Sequence, residues 1–281
     1  MTSDHSYYQD LETVLKIGHA LADAARKHAL KHFRQLDSVD NKAGGGSYDP
    51  VTQGDRDAEA AMREILAELA PDDGVLGEEY DETASKSGWR WVLDPIDGTR
   101  AFVAGITSWT SLIALCAPDN TPYFGIIDVG AIGERYLGHP GASWLLKDGQ
   151  PSERIFVSGQ TDLRKATIAT TDPFILTPSE QGAWTHLRQT AAITRYGLDA
   201  YGYARLAAGT IDLVAETGLA PWDTAALIPI VRGAGGLACD WTGAPAKPGG
   251  QLVCASSQEV LDQALISLRR SATTGSIRAS Y

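Results

Sequence analysis

The chain has 281 residues, 43% hydrophobic and 21% charged, which is enough apolar material for a sizeable core and excludes wholesale disorder. Its formal net charge of -11 disfavours nucleic acid as a partner, because an acidic surface repels the phosphate backbone. The same surface would repel a small phosphate ester unless a local cation reversed the field, so the composition already favours a bound metal.

The sequence shows no secretory or membrane-spanning segment. Met1 to His5 do not begin a signal peptide, and no apolar run reaches the length of about 18 residues that a transmembrane helix needs. Cys116, Cys239 and Cys254 form neither an even set nor a CxxC motif, which indicates buried free thiols. We therefore expect a cytoplasmic protein with no membrane partner.

The first half of the chain is predicted to contain two helices followed by strands. Apolar residues recur at helical spacing over 8–35, a loop with three consecutive glycines covers 36–49, and a second helix runs over 55–69. Aromatic and β-branched runs then predict strands over 89–93, 108–116, 123–129 and 134–138. We expect residues 1–150 to form an N-terminal α+β subdomain that carries the metal-site motifs.

The second half, residues 151–281, alternates between short apolar runs and helical patterns and is expected to form a C-terminal α/β subdomain. Strands are predicted over 166–169, 193–196, 211–215, 237–240 and 252–255. Helices are predicted over 179–189, 200–208, 222–234 and 257–268, and the polar tail from Ser271 is expected to fray. Such alternation predicts an α/β layered protein whose two subdomains pack as one compact unit.

A carboxylate-rich turn follows the strand predicted over 89–93. In Asp94-Pro95-Ile96-Asp97-Gly98-Thr99 two acids lie three residues apart, Pro95 restricts φ and Gly98 permits a tight turn. The two carboxylates and the Ile96 carbonyl can converge on one point, and Mg²⁺ prefers oxygen ligands of this kind. Thr99 is expected to cap the element that follows it in the chain.

Three further acids occupy positions that suit a metal site. Glu78 follows a short apolar run, Asp223 opens a predicted helix, and Asp55 lies behind Asp49-Pro50-Val51-Thr52. Two of them also have an ordinary explanation, since Glu78 and Glu79 suit a solvated acidic patch and Asp223 suits a helix N-cap. Clustered acids remain ionised together only when cations neutralise them, so their joint occurrence favours a metal.

Four segments, in this order and spacing, resemble the inositol monophosphatase superfamily over most of the chain. They are residues 49–55, 77–79, 91–99 and 222–226. The resemblance implies an alternating α-β-α-β-α sandwich of the inositol monophosphatase and fructose-1,6-bisphosphatase type. It also implies a metal-dependent phosphoric monoester hydrolase, and relatives of this kind are commonly homodimers.

The resemblance carries over a set of ligands for two or three Mg²⁺ ions. Glu78, Asp94 and the Ile96 carbonyl would hold the first ion. Asp97 and Asp223 would complete the second, with Asp94 as the bridging ligand. Two such ions would clamp the attacking and leaving oxygens of an in-line displacement.

The resemblance also implies which residues act on water and phosphate. Asp55 and Thr99 would orient and deprotonate the attacking water as catalytic residues. A helix beginning near Thr99, after Gly98, would aim its backbone N–H groups at the phosphate of the substrate. None of the six histidines is assigned to catalysis.

Several features are similar to the histidinol-phosphatase branch of the superfamily. They are Arg100 directly after the acidic turn, the segment 197–203 and the segment 216–236. The implied substrate is L-histidinol phosphate, whose cationic amine or imidazolium would pair with Asp199 and Glu216. Arg100 would either contact the phosphate or hold a neighbouring carboxylate, and the sequence leaves both roles open.

Two other functions stay open at this point. Asp199 and Glu216 would equally hydrogen-bond the hydroxyls of an inositol or sugar phosphate, so an inositol-1-monophosphatase or a related sugar or nucleotide phosphatase is the enzymatic alternative. A regulatory, protein-binding role on the same fold is the non-enzymatic alternative. The intact set of acids argues against a loss of catalysis.

Overall fold

The computed structural model describes residues 10–35, 39–41 and 50–272. Most of the loop predicted over 36–49 and nearly all of the predicted C-terminal tail lie outside these ranges, as does Asp49. Cys116, Cys239 and Cys254 are buried free thiols, as predicted. None of the helices in the described ranges combines the length and the apolarity needed to cross a membrane.

The described residues contain eight α-helices. They are α1 (Leu11–His32), α2 (Gln53–Leu69), α3 (Thr99–Val103), α4 (Pro178–Thr190), α5 (Ala200–Ala207), α6 (Pro221–Ala225), α7 (Leu227–Gly233) and α8 (Gln258–Leu268). The helix predicted over 222–234 is divided into α6 and α7. Pro229 explains the division, because proline has no N–H to donate to the carbonyl of Ala225 four residues earlier.

A seven-stranded sheet and a separate two-stranded pair occupy the first half of the chain. The pair is β1 (Asp40–Asn41) with β2 (Pro50–Val51). The seven strands, in spatial order, are β3 (Gly74–Gly77), β4 (Arg90–Asp97), β5 (Thr110–Cys116), β6 (Pro122–Val129), β7 (Glu134–His139), β8 (Ala142–Lys147) and β9 (Glu153–Arg154). Only β3 and β4 are parallel in this sheet. The seven-stranded sheet continues to Arg154, past the boundary predicted between the two subdomains. The division of the chain into residues 1–150 and 151–281 stays a prediction.

A five-stranded sheet is formed by the second half. Its strands are β10 (Thr167–Ala169), β11 (Ile193–Arg195), β12 (Leu213–Leu219), β13 (Leu237–Cys239) and β14 (Gly250–Ala255). Their spatial order is β11-β10-β12-β14-β13, with parallel pairs around β10 and antiparallel pairs around β14. The strand predicted over 211–215 lies two residues further along and extends to Leu219.

Three helical layers alternate with the two sheets. Buried side chains of α1 and α2 pack on one face of the seven-stranded sheet. The helices α5, α6 and α7 lie between the sheets, and α4 and α8 cover the outer face of the five-stranded sheet. This arrangement confirms the predicted α-β-α-β-α sandwich.

The alternation of side chains along two strands places acids in the middle layer. On β4, Trp91 and Leu93 join the core around α1 and α2, so Val92 and Asp94 point the other way. On β12, Val214 belongs to the middle core, and Glu216 lies on the same face two residues later. Two carboxylates from different sheets therefore face the same layer.

Candidate metal centre and active site

A bulge in β4 brings Asp94 and Asp97 to one side of the strand. Asp94 pairs with Leu112 and Asp97 pairs with Thr110, so three steps along β4 match two steps along β5. In a regular strand, residues three apart point to opposite faces, and the extra residue of a bulge restores a common face. The strand therefore continues through the acidic turn to Asp97, rather than ending at Asp94 as predicted from the sequence.

The turn after this strand differs from the prediction that Thr99 is the capping residue. The residue that caps α3 is Gly98, which adopts a left-handed conformation with φ of 78°, and Thr99 is the first residue of the helix. The Thr99 hydroxyl donates to the Ile96 carbonyl at 3.1 Å. A Cβ on Gly98 would lie 3.0 Å from Oδ2 of Asp199. Both the backbone conformation and this close contact favour glycine at position 98.

A third carboxylate reaches the site from the start of α6. Pro221 begins this helix, and Oδ2 of Asp223 accepts a hydrogen bond from the Ala220 N–H at 2.7 Å. Asp223 is thus a helix-capping residue and a member of the cluster at the same time. Asp94, Asp97 and Asp223 each bring a carboxylate oxygen within 4.8 Å of the others. The structure therefore brings together three of the predicted metal ligands, from two regions of the chain.

Glu78 approaches the cluster on a turn that a buried glutamate holds in place. Oε2 of Glu59, on α2, accepts from the Glu79 N–H at 2.8 Å, and Oε1 accepts from Nε of Arg63 at 2.8 Å. A Cβ on Gly77 would lie 2.0 Å from Oε1 of Glu59. Glu59 was not predicted from the sequence, although a glutamate on the buried stripe of α2 was a signal that could have revealed it.

Burial and mutual repulsion dominate the electrostatics of the cluster. The pKa of Asp94 is raised well above its usual value, first by burial and then by the charge of Glu78. Burial likewise raises the pKa of Asp97, and it raises that of Asp223 to about 7. Glu78 also raises the pKa of Asp223, which places its charge near both acids. In the absence of a cation, the cluster therefore resists full ionisation near neutral pH.

The donor set fits a hard divalent cation. Oδ1 of Asp94 is buried, and no hydrogen-bond donor among the described residues reaches it. A buried carboxylate oxygen without a partner is costly unless a cation supplies one. Oxygen ligands from several carboxylates are the kind that Mg²⁺ binds. The cluster can therefore hold a metal ion, while the number of ions stays a prediction.

Asp55 has a structural role that the sequence analysis did not assign to it. Its Oδ2 accepts from the N–H and the hydroxyl of Thr52, at 2.8 and 2.6 Å, at the start of α2. The carboxylate is buried, and its charge contributes to the raised pKa of Asp94. The structure thus places Asp55 close to the cluster, and its catalytic role, like that of Thr99, stays a prediction.

A cavity of about 220 Å³ opens beside the cluster, and we call it the acidic cavity. Its lining contains five carboxylates and, among the described residues, no cationic side chain. They are Asp97, Asp172, Asp199, Glu216 and Asp223. Asp172 was not predicted from the sequence, because it follows a predicted strand without any motif around it. The composition of this lining suits a cationic or hydroxyl-rich group next to a bound metal.

The two predicted substrate acids differ in their surroundings. Glu216 accepts from the N–H and the hydroxyl of Thr171 at 2.7 and 2.5 Å, and from the hydroxyl of Tyr203 at 3.0 Å. Its carboxylate oxygens are therefore both engaged within the protein. The Asp199 carboxylate accepts no hydrogen bond from the described part of the chain. Burial raises its pKa to about 7, and Arg100 opposes this shift.

Arg100 lies beside Asp172, one of the acids that line the acidic cavity. Its side chain is exposed, and Nη1 lies 4.0 Å from Oδ2 of Asp172. Of the two roles that the sequence left open, the structure therefore shows the contact with a neighbouring carboxylate. A contact between Arg100 and the phosphate of the substrate stays a prediction.

The layered fold and the cluster of acids in its middle layer together assign this protein to the class of metal-dependent phosphomonoesterases. The sequence profile of the inositol monophosphatase family matches residues 10–274, and the chain belongs to this family.

Similar proteins include a bifunctional phosphatase, IMPL2, of Arabidopsis thaliana chloroplasts, which is 37% identical over 83% of this chain and 66% of its own length. A histidinol-phosphatase of Chlorobaculum parvum is 34% identical over 83% of this chain and 85% of its own. A solved inositol monophosphatase of Zymomonas mobilis superimposes with a TM-score of 0.77 at 35% identity, covering 92% of this chain and 98% of its own.

Proposed function

We propose that this protein is a Mg²⁺-dependent phosphatase that hydrolyses L-histidinol phosphate to L-histidinol and phosphate, a reaction of histidine biosynthesis. The similarity to a histidinol-phosphatase supports the choice of substrate. A homodimeric enzyme in the cytoplasm is part of the same proposal, on the strength of the resemblance and the sequence alone.

The observation that carries the proposal is the Asp199 carboxylate, which faces the acidic cavity with no hydrogen-bond donor from the described residues. L-Histidinol carries an ammonium group and an imidazole, and a cation of this kind would be the partner that the carboxylate lacks. Glu216, by contrast, is already bonded to Thr171 and Tyr203. We therefore assign the contact with the leaving group to Asp199 and a positioning role to Glu216.

The residues of the cluster would hold the metal. Glu78, Asp94, Asp97 and Asp223 are the carboxylate ligands that we propose, together with the Ile96 carbonyl. When bound, Mg²⁺ polarises the phosphate ester and lowers the pKa of a water molecule. The carbonyl of Ile96 already accepts from the Thr99 hydroxyl at 3.1 Å, so its second lone pair would serve the metal.

Three parts of the chain would act on the phosphate and the attacking water. The Thr99 hydroxyl and the Asp55 carboxylate would orient the water, and the carboxylate would accept its proton. Backbone N–H groups in the first turn of α3, after Gly98, would donate to the phosphate oxygens. Asp199 would hold the cationic end of the leaving group inside the acidic cavity.

An inositol phosphate is the competing substrate, since the solved Zymomonas mobilis relative is an inositol monophosphatase of 35% identity. The Asp199→Asn variant separates the two substrates, because asparagine keeps the shape and loses the charge. We expect its kcat/KM for L-histidinol phosphate to fall about 10–100-fold, the value of one charge-assisted hydrogen bond. Its kcat/KM for inositol-1-phosphate should change less than about threefold.

The control for this experiment is Asp162→Asn, which removes a half-buried acid that is paired with Arg164, far along the chain from the cluster. This variant should treat both substrates as the wild type does. A wild-type enzyme that prefers inositol-1-phosphate, or an Asp199→Asn variant that loses both activities equally, would contradict the proposed substrate.

A further inference from the structure

A second cavity, of about 620 Å³, lies where the first strands of the seven-stranded sheet meet the loop between β13 and β14. Arg90, Arg232 and Lys247 line it, and Asp119 is the one acid among the described residues of the lining. We call it the basic cavity. Over the whole chain, acids outnumber lysines and arginines by 35 to 24, so an excess of cations here is a local property.

The three cationic side chains form few hydrogen bonds or ion pairs with the described part of the protein. Nε of Arg90 lies 3.4 Å from Oε1 of Glu82, and Nη2 of Arg232 donates to the Ala238 carbonyl at 3.2 Å. Lys247 forms no ion pair with any described residue. A guanidinium has five N–H donors and an ammonium has three, so most of their donors remain for a ligand.

Apart from Asn120 and Thr121, the remainder of the lining is apolar. Leu76, Val92 and Cys116 contribute apolar side chains, and Val92 and Cys116 are almost fully buried. Four prolines stand around them, namely Pro122, Pro221, Pro245 and Pro248. Fixed φ angles restrict the movement of such a wall, and a preorganised wall lowers the entropic cost of binding. The volume also lies in the range of small-molecule sites.

From these features we propose that the basic cavity binds a small organic anion with an apolar body and two or more carboxylate or phosphate groups. The cations would contact the acidic groups, and the apolar residues would contact the body of the ligand. This site is separate from the acidic cavity, and no lining residue of one lines the other.

The basic cavity adjoins two of the segments that carry proposed metal ligands. Leu76, in its lining, lies on β3 two residues before Glu78, and Pro221 begins α6 two residues before Asp223. A bound anion would therefore contact the two segments directly. The location gives the ligand a physical path by which to influence the metal centre.

The probe for the test is benzene-1,3,5-tricarboxylate, which has an apolar ring and three carboxylates and is not a phosphatase substrate. Its binding to the full-length protein, with Mg²⁺ present, is measured by calorimetry. We expect Arg232→Gln and Lys247→Gln each to weaken binding about tenfold. Both side chains are exposed, so these variants should fold.

Two controls make the result decisive. Lys165→Gln removes one exposed positive charge outside the cavity and should bind the probe like the wild type. Asp97→Asn, in the metal cluster, should still bind the probe, because the probe does not sit on the metal ligands. The proposal is overturned if the wild type does not bind the probe, if Lys165→Gln weakens binding as much as Lys247→Gln does, or if Asp97→Asn abolishes it.

Discussion

The acidic and the basic cavity lie near opposite ends of one strand and have opposite charge. Arg90, at the start of β4, faces the basic cavity, while Asp97, at its end, faces the acidic one. Arg90 and Asp97 lie seven positions apart on β4, which is at most about 23 Å of extended chain. The acidic cavity must gain a cation before it can attract a phosphate, whereas the basic cavity attracts anions directly. The net charge of the chain therefore does not predict what each site binds.

The largest expected effect comes from the Asp94→Asn variant. Asparagine removes the charge of the most deeply buried acid of the cluster, which is 2% exposed. We expect kcat to fall by about 1,000-fold or more, since metal binding and charge stabilisation are lost together. Phosphate release with saturating Mg²⁺ measures the effect. The matched change at the basic cavity, Asp119→Asn, keeps the oxygen that accepts from the Thr121 N–H and should leave kcat unchanged.

The next effect, on stability, comes from Gly77→Ala. The new methyl group would meet Oε1 of Glu59 at 2.0 Å, so the turn that carries Glu78 has to move. We expect a loss of about 1–3 kcal/mol in the free energy of unfolding, together with weaker Mg²⁺ binding. Gly182→Ala is the matched control, because its site within α4 is open and alanine favours a helix. Equal stability of the two variants in a denaturant titration would show that Glu59 does not hold the turn.

The smallest effect is a pH dependence of the metal-free protein. The pKa values of Asp199 and Asp223 are raised from 3.8 to about 7 by burial, so the folded state keeps protons that the unfolded state releases. Stability therefore falls as the pH rises from about 4 through 7. Between pH 5.5 and 8 we expect the Tm of the protein in EDTA to fall by about 2 °C or more.

Bound Mg²⁺ should reduce this pH dependence, because a cation favours the ionised carboxylates. Thermal unfolding with and without Mg²⁺, at the same two pH values, measures the difference. A fall in Tm that is the same with and without Mg²⁺ would mean that groups other than Asp223 and its neighbouring acids cause it.

The sequence predicted the layered fold and three clustered ligands because both depend on local patterns. Hydrophobic spacing indicated α1 and α2, and the acidic turn with Trp222-Asp223 indicated the carboxylates that the structure brings within 4.8 Å. The short strands β3, β8 and β9 were missed. Their pairing is decided by neighbouring strands rather than by their own residues.

The parts of the site that the sequence did not predict depend on contacts between distant segments. The bulge at Asp94 and Asp97 is a property of the register with β5, which no local pattern records. Glu59 holds a turn that lies about twenty residues further along the chain. The hydrogen bonds from Thr171 to Glu216 likewise join β12 to the segment after β10, which only the folded sheet brings together.

The measurement that tests the central claim most directly is phosphate release from L-histidinol phosphate, with Mg²⁺ and with EDTA in its place. We expect rapid release with Mg²⁺, almost none with EDTA, and recovery when Mg²⁺ is restored. Release that continues in EDTA would contradict a metal-dependent centre at Asp94, Asp97 and Asp223. No release from this ester, with rapid release from inositol-1-phosphate, would contradict the substrate and leave the metal centre standing.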